Sequence, residues 1–484
     1  MLSTVLWFPV LWTLLILLLP AGRDRVTKNL ALLGGSLLLV ITALIYRQFD
    51  PTQPTLQLQE YLPWIIPLGI NYRLGIDGIS LPLVALNSLL IWIAIYSSPP
   101  GISRPKLYYS LIFLLAGGVA GVFLAQNALL FFLMYEVELI PLYLLISIWG
   151  GARRGYAGTK FLIFTALSGI LLLGACYGMV GLSENSLPLS FDFADLQARQ
   201  FSPPNSALLL LALLLAFGIK IPLVPLHTWL PDAHVEASTP ISVLLAGVLL
   251  KLGTYGLLRF GLGIFPQAWQ QFAPLLAIWA VGTVLYGCLV AITQTDMKKM
   301  VAFSSIGHMG FILLGLAADT PLSLTGATLQ MVSHGLISAL LFLLVGVIYQ
   351  KAGTRNLDRL SGLFNPERGL PLIGSLSVLG AMASAGIPGM MGFVAEFLIF
   401  RGSYPVFPLQ TILCMIGTGL TAVYFLILLD KAFFGRLQPD NIPAVTWSDR
   451  LPGILISTIV VYFGIQPQTL INIMAVTTQS WGRS

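Results

Sequence analysis

Ionisable residues lie inside strongly apolar segments of this sequence, where they are the groups best placed to do chemistry. They are two lysines, three glutamates and two histidines, namely Lys220, Lys251, Glu136, Glu138, Glu396, His308 and His334. Glutamate, lysine and histidine all accept and release protons; burial disfavours the charged form of each, and an opposite charge nearby restores it. An ionisable residue at the centre of a membrane helix costs about 2.5 to 3.5 kcal/mol. Retaining several of them indicates a path for protons.

Two of these residues lie beside predicted helix breaks. In FGIKIPLVPLHTWL, residues 217–230, Pro222 and Pro225 remove backbone donors, which predicts that the helix ends just after Lys220. In SAGIPGMMGFVAEF, residues 384–397, glycines and Pro388 predict a second break shortly before Glu396. Interrupted helices are typical of ion-binding sites in transporters.

The other ionisable residues occupy spans predicted to be continuous. Glu136 and Glu138 are two positions apart and therefore on nearly opposite helix faces, so both cannot face one partner. One is expected to face the interior and the other a neighbouring subunit or a polar interface, and Glu138 could equally be structural. His308 and His334 are accompanied by serines, which favours a hydrogen-bonded relay over simple packing.

Metal and cofactor sites are not predicted in this chain. His227 and His234 flank TWLPDA and could ligate a metal with Asp232 or Glu236, but this segment is predicted to be a loop. The cysteines are far apart and lack the CxxC spacing of iron–sulfur, zinc or haem sites.

The composition identifies the elements that position these residues. The 484 residues are 57% hydrophobic and 9% charged, whereas soluble proteins carry about 25% charged residues. The sequence therefore predicts an all-α polytopic membrane protein. The net charge of +6 comes from basic residues spread singly through loops, so nucleic acid is not an expected partner. The first apolar run lacks a basic region and a cleavage site and is predicted to be a span.

Apolar windows predict about fourteen transmembrane helices. These lie near residues 2–20, 29–46, 78–97, 107–126, 128–148, 160–181, 206–227, 239–261, 271–293, 299–318, 322–349, 368–400, 404–431 and 450–473. The broken spans are the seventh and the twelfth, and their separation by five predicts two inverted five-helix repeats, spans 4–8 and 9–13.

The chain is accordingly predicted to form a single transmembrane domain, residues 1–484. Its parts are three N-terminal spans (1–106), the first repeat (107–261), the second repeat (271–431) and a last span with its tail (450–484).

The basic loop residues predict the orientation. About three quarters of them fall on one side of the membrane if each span crosses once. The other side receives Arg47, Arg73, Arg199, Arg259, Arg401 and Arg483. The positive-inside rule places the side with more basic residues in the cytoplasm or stroma and both termini on the lumenal or periplasmic side.

Residues 217–256, FGIKIPLVPLHTWLPDAHVEASTPISVLLAGVLLKLGTYG, strongly resemble the signature of the antiporter-like subunits of respiratory complex I. Mrp-type cation/proton antiporters and membrane-bound hydrogenases share this signature. ELIPLYLLISIWGGARRGYAGTKFLIFTA, residues 138–166, and GIPGMMGFVAEFLIF, residues 386–400, are most similar to the subunit 4 type of the cyanobacterial and plastid NDH-1 complex. The resemblance extends over nearly the whole chain.

The resemblance implies a proton-translocating membrane subunit of an NAD(P)H or ferredoxin:plastoquinone oxidoreductase. The family's fifth-span glutamate corresponds to Glu136, its broken-helix lysine to Lys220 and its eighth-span lysine to Lys251. In this interpretation Lys220 accepts a proton from the cytoplasmic or stromal side, and Glu136 tunes the proton affinity of Lys220.

The family's relay histidines correspond to His308 and His334, and its twelfth-span residue to Glu396. The subunit 4 type has glutamate at this last position, where sister subunits usually have lysine. The implied path leads from Lys251 through the two histidines to Glu396, which releases the proton on the far side.

The resemblance also implies which cofactors and subunits lie outside this chain. Flavin or iron–sulfur centres and plastoquinone, or another quinone, are expected in partner subunits, because this chain has no motif for them. The expected partners are antiporter-like subunits of the 2 and 5 types, small membrane subunits and lipids, in a cyanobacterial thylakoid or bacterial plasma membrane.

Two alternatives remain open from the sequence. The chain could be a subunit of a secondary Na⁺/H⁺ antiporter of the Mrp type, which Na⁺-dependent transport without quinone reduction would favour. It could also be an adaptor subunit of a CO₂-uptake variant of the NDH-1 complex.

Overall fold

The computed structural model describes residues 1–20, 22–185, 188–438 and 442–481. Arg483, which contributes to the predicted orientation, lies outside the described residues. The N-terminal helices are α1 (Leu2–Leu17), α2 (Asp24–Gln48), α3 (Ser80–Ser97), α4 (Pro105–Leu124), α5 (Ala128–Val137), α6 (Leu139–Trp149) and α7 (Arg154–Gly181). The central helices are α8 (Phe193–Gln197), α9 (Pro203–Lys220), α10 (Trp229–Glu236), α11 (Thr239–Leu262), α12 (Pro266–Ile292), α13 (Met297–Ala318) and α14 (Pro321–Ala352). The last helices are α15 (Pro371–Ser384), α16 (Met391–Ser403), α17 (Pro408–Phe433), α18 (Trp447–Ile465) and α19 (Gln468–Gln479).

The helices make this chain a multi-pass integral membrane protein, as the composition predicts. In the described part of the chain, 12 helices are long and apolar enough to cross a membrane, with α5 and α6 counted together. Two further predicted spans correspond to the shorter apolar helix α1 and to the pair α15 and α16. The count of fourteen and the inverted repeats stay predictions.

Both predicted helix breaks are present. Helix α9 ends at Lys220 and α10 begins at Trp229, so the first break follows Lys220 as predicted. Helix α15 ends at Ser384 and α16 begins at Met391. The second break contains Gly386 and Gly389 at φ +68° and +89°, a left-handed conformation that only glycine adopts readily.

Helix α11, which carries Lys251, packs directly against the first break. A Cβ at Gly253 would lie 2.7 Å from Ile221 Cγ1, and a Cβ at Gly256 would lie 2.3 Å from Phe217 Cε1. The two glycines therefore permit a close approach that brings both buried lysines into adjoining helices.

A β-hairpin adds to the predicted all-α fold. Strand β1 (Gln57–Ile65) pairs antiparallel with β2 (Ile70–Ile76), and Gly69 turns the chain at φ +65°. No span is predicted from the sequence between residues 46 and 78, because long apolar windows do not detect short strands. The hairpin ends directly before α3, and Arg73 on β2 forms an ion pair with Asp192, at 3.2 Å.

Strand β2 leads into a buried ion pair between Asp77 and Arg259. The Arg259 Nη2 to Asp77 Oδ2 distance is 2.5 Å, and both side chains are buried. The guanidinium lies 4.9 Å from the Tyr255 ring and 5.0 Å from the Trp481 ring. The predicted orientation treats Arg259 as a loop residue, whereas Arg259 lies in the last turns of α11, where its charge has an internal partner.

Replacing Asp77 with Ala is expected to destabilise the fold by about 3 to 5 kcal/mol, since it leaves the Arg259 charge buried without a counter-ion. Thermal unfolding of the detergent-solubilised protein measures this loss. Asp358→Ala is the matched control, because Asp358 and its partner Lys431 are 55% and 44% exposed, and exposed pairs contribute about 0 to 1 kcal/mol. Equal losses for the two variants would contradict the assigned role of Asp77.

Candidate functional site

Lys220 is held in a buried ion pair at the end of α9. Its ammonium donates a short hydrogen bond to Glu138 Oε1, and the two side chains are 1% and 0% exposed. The ammonium also lies 4.6 Å from the centroid of the Tyr135 ring. The Tyr135 hydroxyl lies 2.7 Å from Ser168 Oγ, which donates to the carbonyl of Ala216 at 2.8 Å. Lys220 is thus fixed between a carboxylate and an aromatic face.

The ion pair involves Glu138, whereas the resemblance assigns the partner role to Glu136. Helix α5 ends at Val137 and α6 begins at Leu139, because Pro141 has no N–H to donate to the Val137 carbonyl. Glu138 lies at this interruption and faces α9.

Glu136 is only half-buried and lies against α7. A Cβ at Gly169 would come within 2.0 Å of Glu136 Oε1, so this carboxylate fills the space that the glycine leaves. The two carboxylates therefore face different neighbours, as their spacing predicts, and the inward one is Glu138. The role of Glu136 in proton transfer stays a prediction.

The other four predicted residues form a continuous line through the protein. The Lys251 ammonium lies 2.8 Å from His334 Nδ1, and the rings of His334 and His308 have centroids 5.5 Å apart. His308 Nε2 lies 3.8 Å from Glu396 Oε1. All four side chains are buried. The residues come from α11, α14, α13 and α16, so the line joins four helices of the bundle.

Helix α11 has an irregular geometry beside Lys251. It widens into a π-helix over Leu245–Leu249, and the Lys251 ammonium donates a short hydrogen bond to the Ala246 carbonyl. π-Helical turns occur frequently at functional sites.

Hydroxyl groups complete the hydrogen bonds of the line. Ser338 Oγ lies 2.9 Å from His334 Nε2, Tyr424 donates to Ser304 Oγ at 2.7 Å, and Thr418 donates to Glu396 Oε2 at 2.8 Å. Serines near the histidines are predicted from the sequence, but Tyr424 and Thr418 come from α17, whose approach the sequence does not reveal.

His308 depends on the second helix break. Helix α15 ends at Ser384, so the Ser384 carbonyl has no partner within the helix, and this oxygen lies 3.1 Å from His308 Nε2. His308 Nδ1 lies 2.8 Å from the Ser304 carbonyl. Both ring nitrogens face acceptors, a pattern that a protonated imidazole satisfies completely. The break therefore supplies one of the two backbone acceptors that face the His308 ring.

His234 is a further buried residue near this line. Its ring is fully buried and stacks on Phe342 with centroids 4.6 Å apart, and neither ring nitrogen has a hydrogen-bond partner among the described residues. It lies within electrostatic range of both Lys251 and Lys298. Lys298, with Glu236 and Arg355, lines a cavity of about 370 Å³. The cavity lies among loops on the side predicted to carry most of the basic residues, here termed the basic face.

From the sequence, His234 is singled out only as a possible metal ligand, together with His227. Within the described ranges, no group of three or more His, Cys, Asp or Glu side chains is placed to hold a metal ion. His227 instead packs edge-on against Tyr286, with ring centroids 4.9 Å apart.

Sequence comparison identifies relatives that match most of this chain. The family described as NADH:quinone oxidoreductase/Mrp antiporter, transmembrane, matches residues 125–421. NAD(P)H-quinone oxidoreductase chain 4 1 of Synechococcus sp. (strain JA-2-3B'a(2-13)) is 43% identical over 446 residues, which cover 90% of this chain and 83% of the relative. NAD(P)H-quinone oxidoreductase chain 4 of Prochlorococcus marinus (strain MIT 9215) is 42% identical over 450 residues, with coverage of 91% and 83%.

Solved structures share the fold. A chain of respiratory complex I from Thermus thermophilus with bound NADH superposes with a TM-score of 0.89 at 26% identity, over 100% of both chains. A chain of the Mrp complex from Dietzia sp. DQ12-45-1b superposes with a TM-score of 0.87 at 20% identity, covering 99% of this chain and 97% of that one. The second likeness is one of fold alone.

Proposed function

The chain belongs to the NADH:quinone oxidoreductase/Mrp antiporter transmembrane family, and we propose that it is a proton-translocating membrane-arm subunit of an NDH-1-type NAD(P)H-quinone oxidoreductase. It is the subunit 4 type, in line with relatives that are 40 to 43% identical and named chain 4. The chain contributes proton transfer to the enzyme complex, and the redox reaction is assigned to partner subunits.

The observation that carries this proposal is the buried line from Lys251 to Glu396. A proton moves along it when the Lys251 N–H bond breaks and a bond to His334 Nδ1 forms, since these nitrogens are 2.8 Å apart. His308 receives the proton next, and Glu396, 3.8 Å from His308 Nε2, takes it at the far end. Lys220 supplies the line after it has accepted a proton from the basic face.

The proposed partners and location follow from the family. The chain packs beside antiporter-like subunits of the 2 and 5 types and small membrane subunits, and lipids cover the rest of its membrane surface. Flavin or iron–sulfur centres and plastoquinone belong to partner subunits. The basic face with its cavity lies in the cytoplasm or stroma, and both termini lie on the lumenal side of a cyanobacterial thylakoid membrane or the periplasmic side of a plasma membrane.

Replacing Glu396 with Gln in the assembled complex tests the proposed function. The amide retains the shape of the side chain but cannot carry the proton onward, so the transfer through this chain is expected to slow by about a hundredfold or more. The measurement is proton uptake per electron in sealed vesicles during quinone reduction.

Glu367→Gln is the matched control for this experiment, because Glu367 is exposed in a turn before α15. Unchanged uptake per electron in Glu396→Gln would overturn the proposed path. Na⁺-dependent transport without quinone reduction would instead identify a secondary antiporter.

A further inference from the structure

An apolar groove of about 260 Å³ opens on the outer surface of the helix bundle. Its lining comes from α2, α3, α14, α18 and α19. Tyr46 is 46% exposed, and Ala85 and Leu89 are partly exposed, so the groove is open from outside. Among the described residues that line it, only Tyr46 and Thr469 have polar side chains. The groove therefore suits an apolar ligand.

The groove runs from one end of the membrane helices toward their middle. Tyr46 lies in the last turn of α2 and Leu81 in the first turn of α3, the two helices that the β-hairpin connects. The Gly78 amide donates to Thr477 Oγ1 of α19 at 3.1 Å, which places α19 at this same end. Leu336, at the other end of the groove, comes from the middle of α14. The groove therefore extends through the depth of one membrane leaflet.

The dimensions of the groove match one hydrocarbon chain. Leu81 and Leu89 are about 12 Å apart along α3, and one leaflet has about 15 Å of hydrocarbon. Over this length, the volume of about 260 Å³ corresponds to a width of about 5 Å. A chain of carbon atoms that keeps contacts of about 4 Å fits this width, whereas a helix of about 10 to 12 Å does not. Single apolar side chains are shorter than the groove.

Two hydroxyl groups lie at the end of the groove nearest the membrane surface. Tyr46 is in the last turn of α2 and Thr469 in the first turn of α19, and neither hydroxyl has a hydrogen-bond partner among the described residues. Tyrosine is enriched at membrane–water interfaces. The ester carbonyls of a membrane lipid lie at this depth, directly above the acyl chains, and accept hydrogen bonds from hydroxyl donors. The groove thus offers donors where the polar end of an acyl chain would lie.

Packing and hydrogen bonds must retain the ligand, because the hydrophobic effect does not act between apolar groups that are already in the membrane. An empty groove would forfeit the dispersion contacts of its apolar lining, and a hydrocarbon chain restores them along the whole groove.

We propose that this groove binds one acyl chain of a diacyl membrane lipid from the leaflet on the β-hairpin side. The chain extends from Tyr46 and Thr469, whose hydroxyls donate to its ester carbonyl, to Leu336 at the middle of the membrane.

The lipid site is separate from the proton line. Val332 and Leu336 line the groove two residues before and after His334, so they lie on nearly the opposite face of α14. His334 itself contacts Lys251 at 2.8 Å. Filling the groove with a side chain is therefore expected to leave quinone reduction unchanged.

Photolabelling of the assembled complex tests the proposed site. The complex is reconstituted in vesicles of palmitoyl-oleoyl phosphatidylglycerol that contain a small fraction of the same lipid with a diazirine on one chain, and mass spectrometry locates the adducts. We expect adducts concentrated on the α3 and α14 residues of the groove. Ala85→Phe places a ring midway along the groove and is expected to lower these adducts about tenfold, which is about 1.4 kcal/mol of lost binding.

Ala422→Phe is the matched control, because Ala422 is also partly buried on a membrane helix, α17, and does not line the groove. This variant is expected to keep the adducts of the wild-type complex. The inference is overturned if Ala85→Phe is labelled as strongly as Ala422→Phe. It is also overturned if the groove is labelled no more than the rest of the membrane surface, which would indicate annular lipid only.

A second variant and a second measurement cover the case in which Ala85→Phe does not assemble. Thr469→Val removes an exposed hydroxyl at constant shape and is expected to lower the adducts about threefold, in keeping with the loss of one neutral hydrogen bond. Cryo-EM of the wild-type complex in nanodiscs of the same lipid is expected to show continuous elongated density along the groove. An empty groove, or one filled by a partner subunit, would contradict the proposal.

Discussion

Lys220→Ala is expected to abolish proton uptake through this chain while the assembled complex still reduces quinone. The substitution removes the protonatable group at the first helix break and leaves Glu138 buried without its counter-ion. Removing a positioned proton-transfer group costs about 10² to 10⁴ in rate, so the Lys220-dependent part of the uptake should fall at least a hundredfold. Proton uptake per electron in sealed vesicles measures the effect.

Lys431→Ala is the control for Lys220→Ala, since Lys431 lies near a span end and pairs with the exposed Asp358. Blue-native electrophoresis establishes that both variants assemble, which separates a transport defect from the loss of the complex. A Lys220→Ala complex that takes up as many protons per electron as Lys431→Ala would show that the broken helix does not carry the proton.

Lys251→Met is expected to block transfer at the next position of the path. Methionine has about the length of the lysine side chain and suits the buried site, but it has no proton to pass to His334, which Lys251 contacts at 2.8 Å. We expect uptake per electron to fall as far as in Lys220→Ala, with the ion pair between Lys220 and Glu138 preserved in a cryo-EM map.

Two comparisons make the Lys251 result specific. Lys431→Met controls for the loss of a lysine, and His334→Gln removes the next proton acceptor while it keeps a hydrogen-bonding side chain. The path would be contradicted if Lys251→Met slowed uptake but His334→Gln did not, because both residues belong to one line of contacts.

The helix breaks could be predicted from the sequence because their cause is local. Pro222 and Pro388 each remove a backbone donor whatever surrounds them, so the end of α9 at Lys220 could be predicted before any packing was known. The apolar spans could also be predicted from local sequence, since about twenty apolar residues indicate a membrane helix by composition alone.

The ion-pair partner of Lys220 was harder to predict from the sequence. Regular helical periodicity correctly separates Glu136 from Glu138, but the choice between them depends on how Pro141 interrupts the helix and on the space left by Gly169. The resemblance identified the aligned glutamate and therefore favoured Glu136. A contact across two helices is set by their rotation, which neighbouring residues in the sequence do not specify.

The environment of His234 shows the same limit. Its sequence neighbours suggest metal ligands, and only the packing of α10 against α14 places the ring on Phe342 and near Lys251. Tyr424 and Thr418 likewise join the line from a distant helix. Residues of this kind are identified by tertiary structure and not by spacing.

The carbonyl of Ser384 has a consequence for how this protein tolerates mutation. His308 contacts a backbone oxygen that is free because α15 ends at Ser384, so this contact depends on an atom that every residue type at position 384 would also supply. Substitutions of Ser384 are therefore expected to preserve the contact between this carbonyl and His308. Substitution of Gly386 is more damaging, because a side chain at φ +68° strains the backbone at the end of the helix although it alters no charge. A survey of natural variants restricted to ionisable residues would overlook this vulnerability.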